Sequence, residues 1–497
     1  MKMTNKNLVK LISLFLTAVM AVPFVASCTK DEVKPGSDTT PQSTAPVSDP
    51  DDENADAIVE RLYGDKKYDG EIFRIQCVEP GGSWLYMIGE NASEVWFEDA
   101  GSDVLQRAVY ERNRKTQNLL GIEIKPVYTG SVNDDVTAGI DEYDVALIPL
   151  GDSMVVAQNG NTLNFNNIST MDSSRDWWDN QFVKDCTLFG EDLYAIAGAI
   201  NIMDDMATSV LIFNKDLLER NNCEIPYQKV FDGIWTVDVL AEIGRACTVD
   251  LNGDTEFDDK DSWGFGTYGN GMVGYGLQGF AGNIATLNED GIPTIVCNTE
   301  ENIEKCRYWF DTITNSDCYY NQAINGDESF ENMFLNGQLA FALTNLNHTF
   351  MLRDMDNEYG VLPLAKYNEQ QERYTAGSNS AFFTTYVIPK TCKNPEMAGT
   401  CLEVMCGYSV NTVDESLHDI VFDSKLARDE ESRRILKTIQ DTVSFDWNEI
   451  GNWAFNINSC FSMPQGASFT LASNLASVID SATESLDSMI QKFEALN

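Results

Sequence analysis

The apolar positions of this chain fall into short runs of strand length and longer stripes of helical spacing. Residues 71–78 alternate, with Phe73, Ile75 and Cys77 separated by Arg74 and Gln76, the period of a half-buried strand. Residues 103–120 carry Val104, Ala108, Val109, Leu119 and Leu120 between charges, and Gly121 follows as a stop, so a helix is expected. Residues 122–127 read as a second strand, and 143–148 as a third that is too apolar to be half exposed. Strand, helix and strand in this order predict a parallel sheet covered on both faces. Two further apolar runs, 209–213 and 339–343, predict buried strands. In residues 471–496, Leu475, Ile479, Ala482, Leu486, Ile490 and Phe493 share one helical face, which predicts a helix docked on the body of the protein.

The first residues follow a different pattern. Lys2, Lys6 and Lys10 precede an apolar stretch, 11–25, that is shorter than the roughly 20 residues a membrane span needs. It ends on Val25-Ala26-Ser27-Cys28, which resembles a lipobox. That resemblance implies a signal peptide over 1–27, cleavage before Cys28, and a diacylglyceryl group on its thiol. The mature chain would then be anchored in a cell membrane and face the extracellular or periplasmic side, each buried CH₂ contributing roughly 0.8 kcal/mol. Residues 28–57 are rich in Ser, Thr, Pro and Asp and too poor in large apolar side chains to offset their ordering entropy. A disordered tether is expected there.

Charge narrows the partners. The 497 residues carry 77 acids against 34 bases, a formal charge of −43. No basic stripe is available to replace phosphate counterions, which excludes nucleic acid, and adsorption to anionic lipid is equally disfavoured. Apart from Cys28 there are eleven cysteines, an odd number without metal-like spacing; small buried hydrophobes are expected. Only two histidines are present, His348 and His418, too few for a multi-histidine zinc site.

From Asp192 onward a set of short motifs occurs in order. Asp192-Leu193-Tyr194-Ala195-Ile196 is followed by Val210-Leu211-Ile212-Phe213-Asn214-Lys215-Asp216-Leu217-Leu218, then by Pro226 and Trp235-Thr236-Val237-Asp238-Val239-Leu240. Phe334 to Phe341, Glu358 to Leu364, and Lys393-Asn394-Pro395-Glu396-Met397-Ala398 come later. Together they resemble the extracellular solute-binding proteins of family 1, the sugar-type receptors of ABC importers, over most of residues 71–497. The resemblance implies an α/β, two-lobed periplasmic-binding-protein-like fold (type II), with a cleft between lobes joined by crossing strands. Lobe 1 would be 58–200 with 345–380 returning to it. Lobe 2 would be 201–344 with 381–497 completing it. Crossings are expected near 197–205, 344–348 and 377–385. The implied function is capture of a small solute, most naturally a carbohydrate, and delivery to membrane permease subunits, by a monomer that does no chemistry on the solute.

The same resemblance places candidate ligand contacts at Asp144, Asp204, Asp205, Tyr268, Asn345 and Asn347. The chain departs from many sugar binders at Asn345-Leu346-Asn347-His348, where no stacking tryptophan stands; Trp84 and Trp453 are the expected replacements. Sugar CH faces pack on aromatic rings, and hydroxyls are fixed by planar carboxylate and amide groups. Trp177-Trp178 fits packing or ligand contact equally well. These candidates are acids rather than bases, which favours a neutral or cationic solute.

The sharpest local motif is residues 250–261. Asp250, Asn252, Asp254, Asp258 and Asp261 stand at positions 1, 3, 5, 9 and 12, and Glu256 at position 7 would offer its carbonyl, the spacing of a calcium loop. Position 6 is Thr255 rather than Gly. A structural calcium ion is expected. Two competing readings are a surface glycoside hydrolase using paired carboxylates and an adhesion lipoprotein suggested by the dockerin-like loop. No nucleophile elbow or zinc motif is present, and only one such loop occurs.

Overall fold

Four strands form one open sheet: β1 (Ile72–Gln76), β2 (Glu123–Val127), β3 (Val145–Pro149) and β11 (Thr384–Val387), in the order β11-β3-β1-β2. In this computed structural model β1 pairs in parallel with β2 and β3, as the strand–helix–strand pattern requires, and β11 joins antiparallel to β3. A second sheet is built from β4 (Ser209–Asn214), β5 (Trp263–Thr267), β8 (Leu339–Asn345) and β9 (Tyr359–Leu362), in the order β5-β8-β4-β9. β4 is buried along its whole length, which is why its sequence lacks alternation. Two short ladders complete the strands: β6 (Ala285–Leu287) with β7 (Pro293–Ile295), and β10 (Ala376–Gly377) with β12 (Val443–Ser444). The structure describes residues 54–267, 273–352, 355–418, 430–451, 453 and 455–496. The signal segment 1–27, Cys28, nearly all of the tether and Tyr268 lie outside the described residues.

The helices carry local signals that account for their bounds. Asp103 accepts a hydrogen bond from Gln106 N (3.0 Å) to open the helix Val104–Leu120, and Gly121, at φ 67°, closes it in the left-handed region. Asn394 caps the helix Pro395–Ser409 by accepting from Met397 N (3.2 Å), with Pro395 in the first turn. That helix is buried from Met397 to Ser409, including Cys401 and Cys406. The eleven described cysteines are all free thiols, and all but Cys223 are buried.

Each sheet has its own core. The chain passes from one to the other between Ile200, in the core of the first sheet, and Ile202, in that of the second, and returns between Ala376 and Phe383. The expected crossing at 344–348 is not one. β8 runs into a 3₁₀ helix, Leu346–Leu352, whose Leu346, Phe350 and Leu352 stay in the second core. The lobe bounds change accordingly. β9, within 345–380, pairs with β4 in the second sheet, while β11, within 381–497, completes the first. Both returns are non-local pairings that no local pattern encodes. The C-terminal helix Leu471–Glu494 spans the two cores, with Leu471, Leu475 and Ala482 in the second and Leu486, Met489 and Phe493 in the first.

Candidate functional site

The passage between lobes is held by buried polar groups. Arg112 is fully buried and donates to Ile200 O (3.2 Å), Glu94 O and Val95 O (both 3.0 Å). Glu94 accepts from Ile202 N (2.7 Å), Met203 N (3.0 Å) and Thr384 Oγ1 (3.0 Å). One arginine and one glutamate therefore tie the loop after β1 to both crossings. Asn201 Nδ2 adds a bond to Thr384 O (3.0 Å), and backbone bridges join Ile196 to Tyr386 and Thr208 to Ser378. Gly198 is required for close approach, because a Cβ there would stand 2.4 Å from Trp177 O and 2.7 Å from Trp178 Cα.

Two adjoining chambers open beside these crossings. The larger, of 600 Å³, is lined by Tyr86 from the loop after β1, by Thr344 and Asn345 at the end of β8, by Phe330 and Asn332, by His348 and Met351, and by Asn379 and Phe382 on the second crossing. The smaller, of 170 Å³, lies inward and is lined by Gln278, Ser378, Asp446, Glu449 and Asn458. Ser209, Tyr275, Asn345 and Asn379 line both. Asn345 donates to Ala207 O (2.8 Å), which fixes its amide plane, and Asn379 Nδ2 lies 3.5 Å from Asn345 Oδ1. The amide pair thus stands where the second sheet meets the second crossing. Tyr86 is 58% exposed, so its ring face is available for stacking.

The inner chamber is acidic. Asp446 accepts from Ile284 N (2.5 Å), Ala285 N (3.0 Å) and Asn448 N (2.9 Å); burial outweighs these bonds and pushes its carboxyl up to about 7. Burial also raises Glu449, which Ser380 Oγ contacts at 3.3 Å. His348 is held below the usual imidazole range by burial, and its Nδ1 lies 3.0 Å from Asn347 Oδ1, so the neutral ring donates there.

Of the residues the sequence singled out, Asn345 lines the cleft. Asn347, two residues on, is fully buried and lines neither chamber. Asp144 is corrected. It precedes β3, whereas the opposite end of that strand runs into Gly151, which adjoins Ser380 and Glu449 of the cleft. Arg74 holds Asp144 in an ion pair at 2.6 Å and by its backbone N–H at 2.8 Å, a fastening of the first lobe. Asp204 and Asp205 lie on the short helix Met203–Met206 of the first crossing and line neither chamber. Trp453 donates to Trp447 O (2.9 Å) and lines an outer groove with Ser481 and Ser485 of the C-terminal helix, not the cleft. Trp84 belongs to the 3₁₀ turn Ser83–Met87, but its side chain lies outside the described residues. Trp177 and Trp178 are packing residues, buried, with both indole N–H groups donating to Glu403 (3.1 Å each). Sequence reasoning missed Tyr86, Tyr275, Asn379 and Glu449. The one available signal was the aromatic cluster around Trp84 in the loop after β1.

The 250–261 loop is wound on its own side chains. Asp250 accepts from Gly253 N (2.6 Å) and Thr255 N (2.9 Å), Asn252 from Asp254 N (2.8 Å), and Asp254 from Glu256 N (2.9 Å). Thr255 takes φ 72°, the conformation that favours glycine at position 6. Asp261, fully buried, accepts from Leu251 N (2.9 Å) and Asp258 N (3.0 Å). No three of the loop's carboxylates converge to within 4.8 Å of one another.

Comparison with solved structures gives the architecture its setting. The chain is similar to the galacto-N-biose/lacto-N-biose I-binding protein of the ABC transporter from Bifidobacterium longum, solved with lacto-N-biose, at a TM-score of 0.53 and 12% identity over 87% of this chain and 98% of that one. This chain has the two-lobed fold of ABC substrate-binding proteins. The ABC substrate-binding protein Lmo0181 from Listeria monocytogenes, in complex with cycloalternan, shares that fold at a TM-score of 0.51 and 15% identity over 86% of this chain and all of that one. RafE from Streptococcus pneumoniae, in its apo form, gives 0.51 and 11% over 86% and 98%. No family model matches the chain, and no curated protein matches it in sequence; the likeness is one of fold.

Proposed function

We propose that this chain is an extracellular, lipid-anchored solute-binding protein that captures a carbohydrate between its lobes and delivers it to an ABC importer. The observation that carries the reading is the pair of adjoining chambers at the crossings, with amides, carboxylates and aromatic rings, Tyr86 exposed among them, around one space. Tyr86 and Phe382 suit the CH faces of a sugar ring, and Asn332, Asn345, Asn379 and Glu449 suit its hydroxyls. The larger volume falls within the range of small-ligand pockets, about 300–1,000 Å³. Hinge closure about the two crossings would bury the solute, and opening would release it to the permease. The similar proteins of Bifidobacterium longum and Listeria monocytogenes, each solved with an oligosaccharide, support the choice of ligand class.

Anchoring through Cys28 belongs to the same proposal and rests on the lipobox-like sequence. No described helix is long and apolar enough to cross a membrane. A monomer is the expected form. Binding is favoured over hydrolysis because Asp446, one of the two carboxylates of the inner chamber, has both oxygens occupied by backbone N–H groups. Calcium in the 250–261 loop is proposed as a structural ion, supported by the Asx turns and by the conformation of Thr255.

A thermal-shift panel of mono- and oligosaccharides tests the reading. A ligand that binds only the folded state raises the melting temperature by mass action. Stabilisation by one class of sugar, recovered without hydrolysis, is expected. Stabilisation by none, or turnover of the bound sugar, would overturn it. Calcium is tested by adding it to the chelator-stripped chain, which should raise the melting temperature of the wild type and leave Asp250→Asn unmoved.

A further inference from the structure

The first crossing brings Asp205 beside the long helical segment that follows Pro395. Asp414 and His418 stand one helical turn apart there, and a wider π turn, Val410–Asp414, interrupts the helix and ends on Asp414. One ligand atom from each of Asp205, Asp414 and His418 lies within 4.8 Å of the others, and among the described residues no other group of three His, Cys, Asp or Glu side chains does so. His418 Nε2 is 3.3 Å from Asp414 Oδ1. Bonds of about 2.0–2.1 Å from one tetrahedral ion to two ligands place those ligands about 3.3 Å apart.

We propose that Asp205, Asp414 and His418 bind a divalent transition-metal ion, with zinc the best fit, which fastens the first crossing to the helical segment that carries Asp414 and His418. Two further observations bear on this. The Asp205 carboxylate accepts no hydrogen bond from any described residue, although it is only partly exposed. The donor set also selects the metal. An imidazole nitrogen with two carboxylates suits zinc or manganese, whereas calcium and magnesium call for oxygen alone. This site is separate from the sugar cleft and from the 250–261 loop, and depends on neither.

The experiment is a calorimetric titration of the full, chelator-stripped chain with zinc, on the wild type, Asp205→Asn and His418→Ala. One equivalent is expected to bind the wild type, and each variant should bind at least about tenfold more weakly. Because a variant can fail to fold, the wild-type chain is also treated with diethyl pyrocarbonate with and without zinc, and its two histidines are read by mass spectrometry. Zinc should slow modification of His418 and leave His348 unchanged. No uptake by the wild type, undiminished uptake by both folded variants (zinc on thiols), or unchanged modification of His418 would each overturn the site.

Discussion

Glu403 shows how much a single buried polar residue can organise. It sits in the otherwise apolar helix Pro395–Ser409 and accepts from both indoles of Trp177 and Trp178, from Asp172 N (2.8 Å) and from Tyr63 Oη (3.2 Å). Glu403→Leu should cost about 3 kcal/mol or more, since several buried donors lose their acceptor together; urea unfolding would measure it. Nothing in the sequence marked Glu403 as the partner of Trp177 and Trp178, a pair that fitted packing or ligand contact equally well. Asp446 gives a pH prediction. Its carboxyl is raised to about 7 in the fold, so its contribution to stability is complete below the unfolded value, about 3.9, and is lost as pH rises through 7. Wild-type stability should therefore fall between pH 6 and 8 by more than that of Asp446→Asn, as read by denaturation midpoints.

Single elements were the most legible part of the chain. Continuous apolar runs marked β3, β4 and β8; the start of the long helix is set in the structure by the Asn394 cap and by a proline that needs no N–H. Asn394→Ala should destabilise by about 1 kcal/mol, measured by chemical denaturation. The C-terminal stripe was rightly read as a docking face, but its period could not say that one helix serves two cores. Leu475→Ala and Leu486→Ala probe this directly. Each should cost about 2–5 kcal/mol, because each leaves a cavity in a different core. Limited proteolysis should then expose sites in the lobe of the second sheet for the first variant and in the lobe of the first sheet for the second. The segment after β8 was misread for a physical reason. A strand entering a 3₁₀ helix on the same core carries the same apolar signal as a strand crossing to another lobe.

At the scale of the whole molecule, the fold places loop residues from distant parts of the chain around one space. Tyr86, Asn345, Asn379 and Glu449 come from four separate segments and meet only because β8, the crossings and the C-terminal third converge. Asn345 was singled out from its place after a buried strand. Tyr86 lies in a 3₁₀ turn, Asn379 in a loop and Glu449 in the five-residue helix Trp447–Gly451, all too short for a periodicity to mark them. The lobes themselves were legible from the order of motifs, but the strands that return to each were not, since a sheet edge is chosen by global topology. The central claim is that the chambers at the crossings hold a sugar. Calorimetric titration of the full chain with the sugar class that stabilises it, beside Asn379→Ala, tests this most directly. Binding at one site per chain, weakened about tenfold or more by the loss of a desolvated hydrogen bond in the variant, is the expected result. Equal affinity in the folded variant, or no heat of binding with any sugar, would contradict it.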